Sequence, residues 1–208
     1  MFPLFSLHRA GARGVMEAAR RSVRQNEAMA RTWLSIEVEL VSGGGNDFWP
    51  RPGRTFAAAR RHTFWDLAQA INIHFGRWDL SHLSEFTLGD GTRISHSDPW
   101  FDPPEDTVEI ETERMSRLVL GEQFAYVFDF GDGWTHLCTV GSERIDPEQE
   151  VGIIPDLPTP YWGWGSLPDQ YGQKWREDDG ETPVPPDPRG SDLPPILAEW
   201  RWRREMQN

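Results

Sequence analysis

Two Gly-Asp-Gly tripeptides, each set between runs of β-forming residues, constrain the fold of this chain most strongly. They occur at residues 89–91 within Leu83–Ser95 and at residues 131–133 within Gln123–Val140. An Asp-Gly pair between such runs is a strong short-range signal for a β-hairpin, because both residues tolerate the positive φ angles of a tight turn. The sequence therefore predicts two hairpins and a largely antiparallel sheet.

Other segments extend this sheet and supply a helix to cover it. Thr32–Val41 alternates apolar and polar residues with the period of two that is typical of a strand, and Arg54–Ala59 and Thr107–Thr112 predict further strands. In Thr63–Phe75 the apolar residues fall at helical spacing behind a threonine that can cap the helix. The predicted fold class is α+β: a compact roll with a mixed, mostly antiparallel sheet, one main covering helix and the two Gly-Asp-Gly hairpins.

The length of 208 residues fits a single domain with tails better than two independent cores. Residues 1–31 carry six arginines and two acids, which predicts a flexible basic N-terminal tail. Residues 32–172 form the predicted single α+β roll domain. Residues 173–208 are predicted to be an acidic, Pro-rich C-terminal tail that can contain a short helix, with the composition of a disordered linker over residues 173–195.

Composition limits what the chain can do. No apolar run approaches the roughly 20 residues needed to cross a bilayer, so a cytoplasmic location is expected. The single cysteine, Cys138, excludes an internal disulfide, and the six histidines lack the spacing of a zinc motif, so neither a metal nor a cofactor is expected. A translation start at Met29, just before the first strand, would leave residues 1–28 outside the native protein.

The second hairpin carries the strongest candidate site. A two-residue turn at Asp132-Gly133 would pair Asp129 with His136 and place Trp134 on the same face. A carboxylate beside an imidazole raises the pKa of the imidazole and fixes one tautomer, which suits acid–base catalysis or ligand binding. An ordinary cross-strand contact worth about 0.2–1 kcal/mol is favoured over catalysis, and a three-residue turn would separate the two side chains.

Aromatic residues are concentrated near the C-terminal end of the predicted domain. The segment Tyr161–Tyr171 contains Trp162, Trp164 and Tyr171 among glycines, and from Asp156 onward the frequent prolines and glycines predict irregular structure. Rigid aromatic side chains in such a segment can line a groove or contact a partner. Alternatively, the segment seals an edge of the sheet.

A group of arginines gives a further candidate site. Arg54, Arg60 and Arg61 lie near Trp49 and Trp78 in the sequence, a combination that resembles the basic and stacking surfaces of single-stranded nucleic-acid binders. The formal net charge of −12 opposes this interpretation, because phosphate is repelled unless the arginines form a local basic face. Solvated arginines on an acidic protein are the alternative.

The run Tyr126–His136 has the pattern Y-x-x-D-F-G-D-G-W-x-H. In this pattern the chain resembles the family of plasmid pRiA open-reading-frame-three-like proteins, also described as passenger proteins of certain transposable elements. The resemblance extends over roughly residues 33–145 and is lost after Ile145, where family members often have a Cys-containing segment. It implies a compact α+β roll in a bacterial or archaeal protein, often carried by mobile elements, and implies no established activity.

Together these observations predict an uncharacterised binding or interaction module associated with mobile elements. Its recognition surface comprises Asp129, Asp132, Trp134 and His136, bordered by Trp162–Trp164. The expected partner is a protein or a small ligand, and nucleic acid is less favoured. Two alternatives stay open: a hydrolase acting on phosphoesters, with His136 as general base and Asp129 orienting it, and a nucleic-acid-binding accessory of a mobile element.

Overall fold

The computed structural model describes residues 32–97, 107–174 and 177–197. The interpretations of residues 1–31, including the start at Met29, lie outside the described residues. So does most of Ile196–Arg204, the part of the C-terminal tail in which a short helix is predicted. Within the described residues one sheet contains nine strands: β1 (Trp33–Gly43), β2 (Asn46–Asp47), β3 (Gly53–Ala59), β4 (Ser84–Thr87), β5 (Arg93–Ser95), β6 (Val108–Glu109), β7 (Gln123–Phe128), β8 (Trp134–Arg144) and β9 (Thr159–Trp164).

The strands are ordered β6-β5-β4-β7-β8-β1-β3-β9, and β2 pairs with β1. Neighbouring strands are antiparallel except β5 and β6, which run parallel. The α+β class and the mostly antiparallel sheet are therefore confirmed. The alternating apolar side chains of β1 are completely buried on the front face of the sheet: Leu34, Ile36, Val38 and Leu40.

The helix α1 (Phe64–His74) covers that front face, as its apolar spacing predicts. Thr63 begins the helix: its Oγ1 accepts a hydrogen bond from the Asp66 N–H at 3.1 Å, and the Asp66 carboxylate accepts one from the Thr63 N–H at 2.9 Å. Such reciprocal capping stabilises a helix start by about 1 kcal/mol. Among the described residues no helix is long and apolar enough to cross a membrane.

Both predicted hairpins form, with turns longer than two residues. In the first hairpin β4 pairs with β5 as far as Thr87 opposite Arg93, and in the second β7 pairs with β8 as far as Phe128 opposite Trp134. The irregular structure predicted from Asp156 onward is wrong for β9, which pairs with β3 and forms one edge of the sheet. The alternative interpretation of Tyr161–Tyr171, in which the segment seals a sheet edge, is confirmed for the part that lies in β9. A short helix, α2 (Pro147–Val151), precedes it.

The C-terminal segment packs on the back face of the sheet instead of extending away as a linker. Arg51 donates to Asp187 Oδ2 through Nε at 2.9 Å and through Nη2 at 2.6 Å, and both side chains are at most 3% exposed. Further along the segment, Leu193, Ile196 and Leu197 pack against the sheet. Their contacts there are Val41, Ala125 and Leu137. These contacts cover part of the back face.

Candidate functional site

The connection between β7 and β8 spans residues 129–133, so the predicted two-residue turn is wrong. Asp129 begins the turn with a φ of 56°, a left-handed conformation that aspartate tolerates better than most residues. Its carbonyl accepts a hydrogen bond from the Gly133 N–H at 2.6 Å. Its Oδ1 accepts from the N–H groups of Gly131 at 3.0 Å and Asp132 at 3.3 Å. The Asp129 side chain thus holds together a wider turn than the Asp-Gly pair predicts.

This turn changes the register of the hairpin and reverses the face on which β8 side chains lie. His136 is opposite Tyr126 and not opposite Asp129. Since alternate residues of a strand point to opposite faces, Trp134 and His136 lie in the core on the front face, while Leu137 lies on the back. Trp134 is 2% exposed and His136 is 0% exposed, so the predicted surface of Asp129, Trp134 and His136 does not form.

Trp134 and His136 instead belong to a buried polar cluster with Arg77. The Arg77 guanidinium carbon lies 3.7 Å from the centre of the Trp134 ring, and the guanidinium donates hydrogen bonds to the carbonyls of Phe75 and Pro168. Burial lowers the pKa of Arg77 to about 10, which leaves it charged at neutral pH. Burial and the nearby Arg77 charge lower the pKa of His136 to about 3, so this imidazole is neutral at pH 7. An imidazole with so low a pKa is a weak base, and at 0% exposure no substrate can reach it, so His136 is unsuited to the predicted general-base role.

A second histidine forms the contact that was predicted for His136. His82 Nδ1 lies 3.6 Å from Asp129 Oδ2, and its Nε2 lies 3.0 Å from the Tyr171 hydroxyl and 3.4 Å from Asp79 Oδ2. The Tyr171 hydroxyl also donates to Asp79 Oδ2 at 3.3 Å. We call Trp78, Asp79, His82, Asp129 and Tyr171 the Tyr171 patch. It brings two of the predicted site residues, Asp129 and Tyr171, into one network.

Two aromatic rings form the exposed part of the Tyr171 patch. Trp78 is 64% exposed and Tyr171 52% exposed, and their rings meet edge to face with centroids 5.2 Å apart. Gln170 fixes the backbone beneath them: its Oε1 accepts from the N–H groups of Trp78 and Asp79, and its Nε2 donates to the Asp79 carbonyl. The backbone of Trp78 is therefore held next to Tyr171 by partly buried hydrogen bonds.

The charge states in the patch follow from these contacts. Hydrogen bonds from the Ser81 hydroxyl and backbone lower the pKa of Asp79, which keeps this carboxylate ionised. Partial desolvation and the charges of Asp79 and Asp129 raise the pKa of Tyr171, which keeps the phenol neutral and able to donate its proton. At neutral pH the patch therefore presents a carboxylate beside two neutral aromatic rings.

Sequence reasoning did not find Asp79 or His82, and it named Trp78 only as a possible stacking residue near the arginines. All three residues lie in the loop between α1 and β4, where no periodic pattern or motif marks them. The chain brings them to Tyr171 through the hydrogen bonds of Gln170, a contact between residues about ninety positions apart. The only local signal is a cluster of polar and aromatic residues directly after the helix stop at Gly76.

The other predicted aromatic residues lie away from the Tyr171 patch, along β9. Trp164 packs over Gly53, and its Nε1 donates to the Arg51 carbonyl at 2.9 Å, so this indole is part of the fold. Trp162, in contrast, is 67% exposed. Asp132 lies in the second hairpin turn, where its carbonyl accepts from the Gly44 N–H and its charge attracts Arg77.

The three arginines of the predicted basic face are not brought together. Arg54 stands beside Gly163 and donates to the carbonyls of Gly53 and Trp164. Arg60 and Arg61 follow the other end of β3, roughly 20 Å of strand away. There Arg60 donates to the Ser116 carbonyl and Arg61 lies 5.5 Å from the centre of the Trp33 ring. The described arginines thus form separate local contacts.

The described residues contain no group of three or more His, Cys, Asp or Glu side chains arranged to hold a metal ion. The chemistry of the Tyr171 patch is therefore that of a carboxylate, an imidazole, a phenol and an indole. Such a set can bind a cation, donate hydrogen bonds, or move a proton between His82 and Tyr171.

The comparisons with known proteins agree with the pattern in the second hairpin. A family model described as Plasmid pRiA4b ORF-3-like protein matches residues 37–158, more than half of the chain. The chain belongs to the plasmid pRiA4b ORF-3-like family. This confirms the resemblance carried by Tyr126–His136, and the family match includes Asp79, His82 and Asp129 but not Tyr171.

Two known proteins that are similar to this chain carry no named activity. The uncharacterised protein y4hQ of Sinorhizobium fredii (strain NBRC 101917 / NGR234) is 33% identical over 70 residues, which are 34% of this chain and 35% of y4hQ. The chain thus matches about a third of the length of that relative. The crystal structure of MM3350, a protein of unknown function from Methanosarcina mazei Go1, has a TM-score of 0.49 and 20% identity, covering 64% of this chain and 69% of that one.

Proposed function

We propose that this protein is a cytoplasmic binding module that recognises a positively charged segment of a partner protein through the Tyr171 patch. The observation that carries the proposal is the exposed pair of Trp78 and Tyr171 beside the carboxylate of Asp79. An association with mobile elements belongs to the same proposal and rests on the family resemblance alone.

The carboxylates of the patch support a cationic ligand. Among the described residues the ion-pair partner of both Asp79 and Asp129 is His82, and neither contacts an arginine or a lysine. Asp79 is about one third exposed, so an incoming guanidinium or ammonium group can reach it. The formal net charge of −12 also attracts cationic segments over a distance and speeds their encounter.

The aromatic rings support the same ligand class. A cation over the face of an exposed tryptophan gains about 0.5–1 kcal/mol, and arginine makes this contact most often. Trp78 offers such a face, and its edge-to-face contact with Tyr171 leaves both rings accessible. The Gln170 side chain holds the backbone of Trp78 and Asp79 in place. The loop therefore loses little conformational freedom when a ligand binds.

One observation favours the hydrolase alternative. His82 lies between the Asp129 carboxylate and the Tyr171 hydroxyl, at 3.6 Å and 3.0 Å, which is the order of groups in an acid–base–hydroxyl relay. The raised pKa of Tyr171 weighs against it, because a nucleophilic phenol needs a lowered pKa. His82 is also one third exposed, in a site open to water. Binding therefore explains the patch better than covalent chemistry.

The test is the affinity for a labelled peptide of alternating arginine and glycine, measured by fluorescence anisotropy at low and high salt. Trp78→Ala and Asp79→Asn are each expected to weaken binding by about two- to fivefold, since each removes a contact worth ~0.5–1 kcal/mol. Binding should weaken as salt rises. Val119→Ala and Asp192→Asn, which change an exposed apolar side chain and an exposed aspartate elsewhere, serve as controls.

Equal loss of affinity in the controls, or no binding of the arginine peptide at low salt, would refute the proposal. A parallel assay for hydrolysis of a chromogenic phosphoester addresses the alternative. Hydrolysis that is abolished by His82→Gln would establish an enzyme and also count against a pure binding role.

A further inference from the structure

The strand β9 forms an open edge of the sheet. Its inner side pairs with β3, with Trp164 opposite Gly53 and Trp162 opposite Thr55. Within the described ranges no strand pairs with its outer side. The N–H and C=O groups on such an edge can add a further strand, and natural proteins usually protect long edges with charges, bulges or covering segments.

The segment that forms this edge is apolar and almost uncharged. Residues 152–168 contain a single charged residue, Asp156, whereas 26% of the whole chain is charged. The segment also carries four strongly exposed apolar side chains: Ile153 at 60%, Ile154 at 49%, Leu157 at 58% and Trp162 at 67%. Concentrated exposed apolar area of this kind marks protein contact sites.

The contrast between the acidic chain and its nearly uncharged edge indicates which kind of partner binds there. Two copies of a chain with a net charge of −12 repel each other, so they can associate only through a surface that is itself nearly neutral. A basic partner, in contrast, would be expected to meet acidic side chains, of which this segment has one. The neutral edge therefore fits a second copy of the same chain.

The edge also carries a shallow groove. The exposed Trp162 ring forms part of the wall of this open groove of about 580 Å³, whose lining also includes Arg54, Tyr161, Gly163 and Trp164. In a two-fold dimer the same patch of both copies meets, so a protruding side chain beside a groove on one copy faces the groove of the other. Each Trp162 can then fill the groove of its partner.

We propose that β9 pairs antiparallel with β9 of a second copy, so that the protein is a homodimer with one sheet continuous across both chains. Pro160 has no N–H to donate, so the pairing centres on residues 161–164. The two Trp162 rings add apolar contact on either side of the two-fold axis. This interface lies apart from the Tyr171 patch and does not depend on the proposed cation binding.

The test is the mass in solution, measured by light scattering after size exclusion over a range of concentrations. At about 100 µM the protein is expected to have twice the chain mass of 23.9 kDa, and Trp162→Arg is expected to give the single-chain mass. Trp78→Arg, which puts the same charge on an equally exposed tryptophan outside β9, should remain dimeric. Circular dichroism checks that both variants are folded.

A second measurement locates the contact. The backbone amides of residues 161–164 should exchange hydrogen more slowly as the protein concentration rises, while those of the opposite edge strand β6 should not. A single-chain mass for the wild-type protein at about 100 µM, a dimeric Trp162→Arg variant, equal dissociation by Trp78→Arg, or unchanged exchange in β9 would each overturn the proposal.

Discussion

The Arg77 guanidinium carbon lies 3.7 Å from the centre of the Trp134 ring, and both side chains are at most 3% exposed. The guanidinium also donates to the carbonyls of Phe75 and Pro168, so it joins the end of α1 to the segment that carries Tyr171. Among the described residues Arg77 has no direct carboxylate partner. Its buried charge is stabilised by the indole face and by backbone oxygens.

Replacement of this arginine by lysine is predicted to destabilise the fold although the charge is kept. Lysine lacks the planar group that stacks on Trp134 and bonds two carbonyls at once. We expect Arg77→Lys to lower the free energy of unfolding by about 1–3 kcal/mol, measured by urea unfolding. The control is Arg114→Lys at an exposed arginine, expected to change it by less than about 0.5 kcal/mol. Equal stability of the two variants would contradict the role given to Arg77.

The Trp134 ring leaves no room for a side chain at Gly43. A methyl group on Gly43 would overlap the indole ring. Gly43→Ala is therefore predicted to lower the free energy of unfolding by about 1–3 kcal/mol through overpacking. Gly190→Ala is the matched control, because a methyl group there meets no atom within 4 Å, and it should be nearly neutral. A neutral Gly43→Ala would show that Trp134 does not pack in this position.

The buried His136 is predicted to make the protein less stable in acid. Its pKa is about 3 in the folded protein against 6.5 in the unfolded chain, so the unfolded chain takes up a proton first as the pH falls. The free energy of unfolding should fall on acidification from about pH 6.5 to about pH 3, by at most ~1.4 kcal/mol per pH unit from this residue.

His136→Phe keeps an aromatic ring without the titrating group. The free energy of unfolding of this variant should therefore depend less steeply on pH than that of the wild type. Urea unfolding at several pH values between 4 and 7.5 measures the difference between the wild type and the variant. The pKa values of His62 and His74 are also lowered, chiefly by burial, so the variant should keep some slope in the same direction. Parallel curves for the two proteins would show that His136 is not buried and neutral.

The ion pair between Arg51 and Asp187 is predicted to hold the C-terminal segment on the back of the sheet. Asp187→Asn leaves the buried Arg51 charge with one described ion-pair partner, Glu39 at 3.7 Å. The variant should lower the free energy of unfolding by about 3 kcal/mol. The segment should then be cut faster by proteases at residues 177–197. Asp192→Asn breaks a contact in which both side chains are more than 60% exposed, and should cost less than about 1 kcal/mol. Equal rates of cutting would contradict this anchoring.

Local patterns predicted those elements whose stabilising contacts are close in sequence. The cap of α1 joins Thr63 to Asp66, three residues apart, and the alternation in β1 records directly which side chains face the core. Both hairpins were also found, because Gly-Asp-Gly restricts where a strand can reverse. These patterns did not predict the number of residues in the second hairpin turn. That number decides which face of the sheet each β8 side chain lies on.

The sequence named some residues of the candidate site but not the contacts between them. Asp129 and Tyr171 were both named as site residues, their shared contact with His82 was not predicted, and their role as site residues stays a prediction. The proposed His136 contact was wrong because Asp129 adopts a left-handed conformation, whose energy depends on hydrogen bonds from Gly131, Asp132 and Gly133 together. His82 was missed because its neighbours come from three separate parts of the chain.

The sequence by itself determined the α+β class, the family, the covering helix and the positions of both hairpins, because capping, alternation and turn residues act over a few neighbouring positions. Only the tertiary structure decided that His136 is buried and His82 one third exposed, that Tyr171 contacts Asp79, and that β9 is an edge of the sheet. Those outcomes depend on strand register and on contacts between distant residues. In such contacts the energies of burial and hydrogen bonding depend on the whole fold and not on any single segment.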